Sequence, residues 1–205
     1  MGIYSRFILP RVLEFAMSQP QVMRERPTAL AEAHGDVLEI GFGTGLNLAC
    51  YPDGITSLTL LDPVSMLDTR VAERIGAAKM PITVARGDGA SLPFDAGRFD
   101  CVASTWTLCT IPDVEAAIRE IRRVLKPTGR YLFLEHGLSV DPRVARWQDR
   151  LDRVHGLFTG GCHVNRPIDR LITAAGLSIE RLDRFVLART PQYLAAHYRG
   201  IATVA

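Results

Sequence analysis

Short, nearly continuous apolar runs alternate with longer segments of mixed polarity along this chain. Each run is rich in Val, Ile, Leu, Phe or Tyr, which is typical of strands that are covered on both faces. We therefore predict five strands, at residues 36–40, 58–62, 82–86, 99–105 and 130–136. Helices are predicted between them at residues 46–51 and 65–75, and after Asp113. This alternation of strands and helices predicts a parallel, doubly wound α/β sheet.

The helix after Asp113 has the clearest periodicity. Its apolar positions recur at spacings of three and four and form one face: Val114, Ala117, Ile118, Ile121, Val124 and Leu125. Asp113 can cap the amino terminus, because its side chain can accept a backbone N–H of the first turn. Pro127 and Gly129 predict the end of this helix, and Gly129 is expected to supply any positive φ that the turn requires.

Composition limits the classes of protein to which the chain can belong. Its 205 residues are 47% hydrophobic and 22% charged, which suits one globular domain over residues 1–205. The 24 Lys and Arg residues nearly balance the 22 Asp and Glu residues, so a nucleic-acid partner is not expected. The four cysteines form no CxxC pair, which predicts reduced thiols and a cytoplasmic protein. No signal peptide or membrane-spanning helix is expected.

Three glycines follow the first predicted strand in the stretch EIGFGTG, residues 39–45. A glycine-rich turn after a strand lets the backbone approach a ligand closely, and open α/β sheets bind nucleotides at this edge. A dinucleotide fingerprint would need glycine at position 46, where Leu46 stands. A phosphate-binding P-loop would need Gly-Lys from the same position. The sequence therefore predicts a nucleotide site of another kind.

Three further features accompany this loop. Asp62 ends the second predicted strand, Asp88 lies in the turn GDG before LPF and FDCV, and the stretch LKPTG leads into RYLFLEH. Together with EIGFGTG, these features resemble the motifs of the class I S-adenosylmethionine-dependent methyltransferases. The resemblance covers most of the chain and implies S-adenosylmethionine as the cofactor. It also implies a Rossmann-like, seven-stranded sheet in which residues 177–185 and 197–205 form an antiparallel final pair.

The resemblance implies roles for individual residues. Asp62 would accept both hydroxyls of a ribose, and Asp88 would face the adenine amino group while the next backbone amide reads a ring nitrogen. The residues assigned to the cofactor in this way are Glu39, Gly41, Phe42, Gly43, Gly45, Asn47, Asp62, Pro63, Asp88, Gly89, Ala90 and Thr105. The single domain would divide into an N-terminal helical lid (residues 1–34), a cofactor-binding half (35–136) and a substrate-side half (137–205).

The residues after the fifth predicted strand indicate the substrate. EHG, a Trp-bearing helix and GGCHVNR (residues 160–166) resemble the small-molecule thiol methyltransferases. No Asn-Pro-Pro-Tyr stretch, which amine-methylating relatives use to hold a planar nitrogen, follows the fourth strand. The expected activity is S-methylation of a small, lipophilic thiol. Because imidazole can take a proton from a thiol, His136 is the first candidate for a general base and His163 the second, with a structural hydrogen bond as the alternative for each.

Two other functions remain open. One is N-methylation of a phospholipid headgroup or a small amine, and the other is S-adenosylmethionine binding without catalysis. A weak contact with a membrane surface could come from Arg6, Phe7, Ile8, Leu9 and Arg11. Cys162 and His163 raise the question of a metal near His136, but the other cysteines and the carboxylates offer no matching spacing, so no metal is expected. The oligomeric state is left open.

Overall fold

A computed structural model describes residues 9–63 and 69–204, which form one seven-stranded sheet with helices packed on both faces. The strands are β1 (Gly35–Ile40), β2 (Ile55–Asp62), β3 (Ile82–Arg86), β4 (Phe99–Thr105), β5 (Leu125–His136), β6 (Leu177–Val186) and β7 (Ala196–Val204). The helices are α1 (Leu9–Met17), α2 (Pro20–Met23), α3 (Glu25–Leu30), α4 (Thr69–Gly76), α5 (Val114–Val124), α6 (Pro142–Phe158) and α7 (Ile168–Ala174). Short 3₁₀ turns lie at Leu48–Cys50 and Gln192–Leu194.

The strand order is β3-β2-β1-β4-β5-β7-β6. Neighbours among β1 to β5 are parallel, whereas β7 is antiparallel to both β5 and β6. The expected doubly wound sheet and its antiparallel final pair are therefore confirmed. The direction of winding reverses between β1 and β4, and open α/β sheets bind ligands outside the carboxyl ends of the strands at such a point.

Two apolar clusters cover the two faces of the sheet. The buried residues of α5 are those of the expected apolar face: Val114, Ala117, Ile118, Ile121 and Val124. Asp113 caps this helix as expected, since its Oδ1 accepts the N–H of Ala116 at 2.9 Å. On the opposite face, Leu30 of α3 and Val71 of α4 contribute to the second cluster. The inner strands are thus enclosed, which explains their nearly continuous apolar runs, whereas the edge strands β3 and β6 are largely exposed.

The helix predicted at residues 46–51 is not an α-helix, and this part of the prediction was wrong. Only the 3₁₀ turn Leu48–Cys50 forms there. β2 begins at Ile55, earlier than expected, so the chain between β1 and β2 is short. The glycine loop and this 3₁₀ turn together occupy most of it, and Pro52 follows the turn. Of the helix predicted at residues 65–75, the described part is α4, and residues 64–68 lie outside the described residues.

The turn after α5 also differs from the prediction. α5 ends at Val124 and β5 begins with the next residue, Leu125, rather than at residue 130. Gly129 has no positive φ. A Cβ at Gly129 would instead lie 3.0 Å from the side chain of Leu125 and 3.0 Å from the carbonyl oxygen of Lys126. Glycine is therefore needed here for close packing and not for a left-handed turn.

The N-terminal helices are present and line one wall of a cavity at the carboxyl edge of the sheet. Glu14 of α1 pairs with Arg74 of α4 at 2.6 Å, and Arg74 Nη1 also donates to the carbonyl oxygen of Thr44 at 2.5 Å. These contacts hold α1 against the glycine loop. The expected membrane contact falls largely on residues 1–8, which lie outside the described residues. None of the described helices combines the length and the apolar composition needed to cross a bilayer.

Candidate functional site

The cavity at the carboxyl ends of β1 and β4 has a volume of about 740 Å³. It lies at the switch point of the sheet, where a ligand site is expected. Of the predicted site residues, those that line it are Gly41, Phe42, Gly43, Asp62, Pro63, Asp88, Gly89, Thr105 and His136. Those that do not line it are Glu39, Gly45, Asn47, Ala90 and His163. The individual roles of these residues in binding stay predictions.

The glycine loop is shaped for two different purposes. Gly41 has φ of +72°, and a Cβ there would lie 2.3 Å from Thr107 Cγ2, so this glycine allows the loops after β1 and β4 to pack together. Gly43 has φ of +53°, and a Cβ there would meet nothing closer than the Gly41 carbonyl oxygen at 4.0 Å. Gly43 therefore borders open space. A ligand can lie directly against the backbone here, as the expected nucleoside cofactor requires.

Two acidic residues reach the cavity from neighbouring strands. Asp62, at the end of β2, accepts the N–H of Gly43 on its Oδ2 at 3.2 Å. Asp88, after β3, is exposed, and its Oδ1 accepts the N–H of Ala90 at 2.9 Å. Gly89, which lies between Asp88 and Ala90, is buried and faces the same cavity. The residues present thus fit a nucleoside, with one carboxylate beside the glycine loop and a second in a turn near it.

A network of buried polar side chains packs beneath the glycine loop. Glu39 accepts from Asn47 Nδ2 at 2.9 Å and from Tyr51 Oη at 2.8 Å. Asn47 also donates to Thr105 Oγ1 at 3.0 Å and accepts from Arg26 Nη1 at 2.6 Å. Burial raises the pKa of Glu39, and the hydrogen bonds from Tyr51 and Asn47 oppose this rise. The network joins α3, β1 and β4, which places Glu39 and Asn47 beneath the cavity wall.

Sequence reasoning missed two members of this network, Arg26 and Tyr51. Arg26 is buried, and its guanidinium lies 4.8 Å from the ring centroid of Trp106. Burial lowers its pKa, and the Glu39 carboxylate opposes this effect. No local pattern distinguishes this arginine from the exposed ones in the same segment, because its partners lie far away along the chain.

The loop after β4 is held by a buried carboxylate. Glu135 Oε2 accepts the backbone N–H groups of Thr107 at 2.8 Å and of Leu108 at 3.2 Å, and its Oε1 accepts from Ser104 Oγ at 2.7 Å. Burial raises the pKa of Glu135 to about 7, against the lowering effect of these hydrogen bonds. Trp106 within this loop has a positive φ of 50°, which is rare for a bulky residue. The loop is therefore fixed in one conformation by its contacts.

Three groups with affinity for protons and metals meet at the wall of the cavity: Cys109, His136 and Cys162. Their ligand atoms all lie within 4.8 Å of one another, and all three side chains are buried. His136 Nε2 lies 3.1 Å from Cys162 Sγ, and its Nδ1 has no hydrogen-bond partner among the described residues. Hydrogen bonds from Cys109 and His136 lower the pKa of Cys162, and burial opposes them.

This cluster corrects one sequence expectation. No other cysteine was expected to match Cys162 and His136, yet Cys109 lies beside both. The cause is long-range: the loop after β4 and the loop after α6 meet above the end of β5. The N–H of His163 donates to the Cys109 carbonyl oxygen at 2.8 Å, and Arg166 donates to the carbonyl oxygens of Leu108 and Ile111. These contacts join the two loops.

The side chain of His163 points elsewhere. Its Nδ1 lies 2.8 Å from Asp152 Oδ2 of α6, and 45% of the side chain is exposed. The geometry gives His163 a structural contact, and its catalytic role stays a prediction.

The remaining wall is mainly apolar. It includes side chains from the N-terminal helices, the loop after β4 and the segment before β7: Val12, Leu13, Met17, Val22, Trp106, Ile111, Leu187 and Leu194. Sequence reasoning missed the contribution of the segment before β7. An apolar wall beside the Cys–His cluster suits a small molecule that carries a soft nucleophile on an apolar body.

Comparison with known proteins is consistent with this geometry. The profile of the family described as "Methyltransferase domain" matches residues 38–133. Human thiol S-methyltransferase TMT1A is 30% identical over 171 residues, or 81% of this chain and 69% of that protein. Human thiol S-methyltransferase TMT1B is 36% identical over 162 residues, or 76% and 66%. The chain thus spans about two thirds of the length of these relatives.

A solved structure from Thermotoga maritima, described as an S-adenosylmethionine-dependent methyltransferase and possible histamine N-methyltransferase, superposes with a TM-score of 0.69. The match covers 98% of this chain and 98% of that one at 18% identity. At this identity the match shows a shared fold.

Proposed function

Because this chain belongs to the class I S-adenosylmethionine-dependent methyltransferases, near the thiol S-methyltransferase group, we propose that it methylates the sulfur of a small, apolar thiol. When bound, S-adenosylmethionine supplies an electrophilic methyl group on a sulfonium. In-line transfer needs a nucleophile that is ionised and held in position, so the protein contributes mainly orientation and proton removal.

The observation that carries the proposal is the cluster of Cys109, His136 and Cys162 at an apolar cavity wall. A free thiol has a pKa of about 8.5, so most of it is protonated at neutral pH. A site that methylates sulfur must therefore favour the thiolate. In this cluster the imidazole of His136 stabilises negative charge on Cys162. The hydrogen bond to Cys162 and burial raise the pKa of Cys109, and the guanidinium of Arg166 opposes this rise. We assign stabilisation of the substrate thiolate to the cluster, in which His136 is the residue that the sequence indicates.

The glycine loop and Asp62 support binding of the cofactor at the other strands of the same cavity. Gly43 leaves space for the nucleoside, and Asp62 offers a carboxylate beside it. Human TMT1A and TMT1B, both described as thiol S-methyltransferases, support sulfur as the acceptor.

The experiment uses acceptors that differ only in the nucleophilic atom. Thiophenol, phenol and aniline are each incubated with the full chain and labelled S-adenosylmethionine, and vesicles that contain phosphatidylethanolamine form a fourth arm. We expect the thioether as the main product, with little label on oxygen, nitrogen or lipid. Transfer to aniline or to the lipid headgroup, with thiophenol inert, would support the N-methyltransferase alternative. Cofactor binding without any product would support a non-catalytic module.

A further inference from the structure

We infer that Cys109, His136 and Cys162 form a zinc site whose fourth position is open to the substrate thiol. The zinc site stands on the geometry of these three residues alone. The role of its open position rests on the proposed function. Zinc in catalytic sites is bound by three protein ligands and keeps one position for water or substrate.

The distances are close to those that zinc requires. A tetrahedral site with Zn–S of about 2.3 Å and Zn–N of about 2.0 Å holds its ligand atoms roughly 3.5–3.8 Å apart. The three ligand atoms lie within 4.8 Å of one another, and His136 Nε2 lies 3.1 Å from Cys162 Sγ. Displacements of less than about 1.5 Å, within the reach of side-chain rotation, would complete the tetrahedron.

The burial and hydrogen bonding of the cluster also indicate a ligand. His136 is 7% exposed, and its Nδ1 has no partner among the described residues. With Nε2 as the zinc ligand, Nδ1 carries the imidazole proton, and this buried N–H calls for a partner such as an ordered water. Cys109 donates to Cys162 within the cluster and has a long contact of 3.6 Å with the carbonyl oxygen of Trp106. For His136 and Cys109, metal binding would therefore replace contacts among the three ligands and would break no strong contact with other described residues.

The ligands sit on supports that fix their positions. His136 ends β5, and Glu135 next to it holds the loop that carries Cys109. The N–H of His163 ties the Cys162 loop to the Cys109 carbonyl oxygen. The carboxylate of Glu135 already accepts hydrogen bonds from Ser104, Thr107 and Leu108, so it is not counted as a zinc ligand. The donor atoms are therefore two sulfurs and one nitrogen. Sulfur and imidazole ligands in a tetrahedral arrangement favour zinc over magnesium or calcium.

The open position faces the cavity, because all three ligands line it. A thiol that binds there loses its proton to solvent, since a thiol coordinated to zinc is deprotonated. The substrate sulfur then forms its bond to the methyl carbon while the bond from that carbon to the sulfonium sulfur breaks. The departing sulfide keeps the electron pair, and the positive charge of the sulfonium is neutralised. The product is a neutral thioether, a weaker ligand than a thiolate, and is released.

The test measures metal without relying on activity. Full-length protein is purified with reduced thiols, stripped with a chelator, and titrated with Zn²⁺ and with Co²⁺. We expect one metal per chain, a thiolate-to-cobalt charge-transfer band, and a higher melting temperature with Zn²⁺. Cys109→Ser and Cys162→Ser should each weaken metal binding by at least about 10²-fold and remove the band.

Cys101→Ser is the matched control. Cys101 is buried and lies 3.5 Å from His34 Nδ1, but this Cys–His pair has no third ligand within residues 9–63 and 69–204. Its substitution should leave metal binding unchanged. If the reduced parent protein binds no stoichiometric metal, or if Cys162→Ser binds it as well as the parent, the inference is wrong. Isolation of a Cys109–Cys162 disulfide as the active form would also overturn it.

The two proposals can fail separately. If thiols are methylated at full rate after zinc is removed, the role of the open position in binding the substrate falls, and the proposed function stands. If zinc binds to the cluster but thiols are not methylated, the proposed function falls together with the role of the open position, and the metal site remains.

Discussion

Asp62 is the residue on which the cofactor assignment can be tested most simply. It ends β2, lines the cavity and accepts the N–H of Gly43 at 3.2 Å. A carboxylate in this place can accept hydrogen bonds from ribose hydroxyls as well as from the loop. Hydrogen bonds to charged groups are each worth about 1.5–3 kcal/mol.

We predict that Asp62→Asn weakens S-adenosylmethionine binding by roughly 10- to 10²-fold, measured by isothermal titration calorimetry. Asp53→Asn is the control, because Asp53 is exposed and pairs with Lys79 away from the cavity. The control should bind as the parent does. Equal affinities for all three proteins would show that the ribose is not at Asp62.

His197 gives the stability of the protein a defined dependence on pH. Its Nε2 accepts from Trp106 Nε1 at 2.9 Å, so its Nδ1 carries the proton and donates to the Ala195 carbonyl oxygen at 2.9 Å. Burial, together with the neighbouring His136, lowers the pKa of His197 from an ordinary value of 6.5 to about 4, and the hydrogen bond to Ala195 opposes this shift. The folded protein therefore holds His197 neutral where the unfolded chain would protonate it.

The sign of the effect follows from this difference. Between pH 6.5 and about 4 the unfolded chain binds more protons at this site, so the free energy of unfolding falls as the pH falls, by up to about 3 kcal/mol. His197→Gln keeps an acceptor for Trp106 and has no titrating group. We predict that urea unfolding of the parent loses more stability over this range than the variant does. Parallel pH profiles for the two proteins would contradict the assignment.

At the scale of elements, β7 is the strand on which the sheet depends most. It lies between β5 and β6 and pairs with both. Gly200 of β7 lies against residues of both neighbouring strands. A Cβ at this position would lie 2.2 Å from the Arg181 carbonyl oxygen of β6 and 2.5 Å from Phe133 Cζ of β5. The backbone of β6 cannot move away without disturbing its pairing with β7.

We predict that Gly200→Ala lowers the free energy of unfolding by about 1–3 kcal/mol, measured by urea and thermal denaturation. Gly54→Ala is the matched control, because a Cβ at Gly54 meets nothing within 4 Å. That variant should melt as the parent does. The same melting temperature for Gly200→Ala would mean that β7 does not insert in this register.

The apolar runs predicted β1 to β5, because a buried strand leaves a continuous signal in the sequence, whereas the antiparallel pair of β6 and β7 was implied by the family resemblance. The α-helix predicted after the glycine loop was wrong because the connection is short. Too few residues separate β1 from β2 for a full helix after that loop. The glycine loop, Asp62, Asp88 and His136 carry local signals and could be placed at one edge. Cys109 could not be joined to Cys162, nor Arg26 to Asn47, since these contacts depend on how distant loops and helices meet.

At the scale of the whole molecule, one cavity contains both the proposed cofactor site and the proposed site for the acceptor thiol. The glycine loop and Asp62 line it from β1 and β2, and the Cys109–His136–Cys162 cluster lines it from the loop after β4, the end of β5 and the loop after α6. The N-terminal helices close a further wall and are tied to the glycine loop through Arg74. Cofactor and acceptor would therefore meet in one cavity with a mainly apolar wall, which suits transfer between two sulfur atoms.

The most direct measurement is to follow an isotopically labelled methyl group from S-adenosylmethionine to its acceptor by NMR, in a mixture of thiophenol, phenol and aniline with the full chain. The chemical shift of the labelled carbon identifies the atom to which it is bound. The account predicts a signal for methyl on sulfur that grows in step with the demethylated cofactor. A signal for methyl on nitrogen or oxygen with the thiol unmodified, or no transfer by folded protein that binds the cofactor, would contradict it.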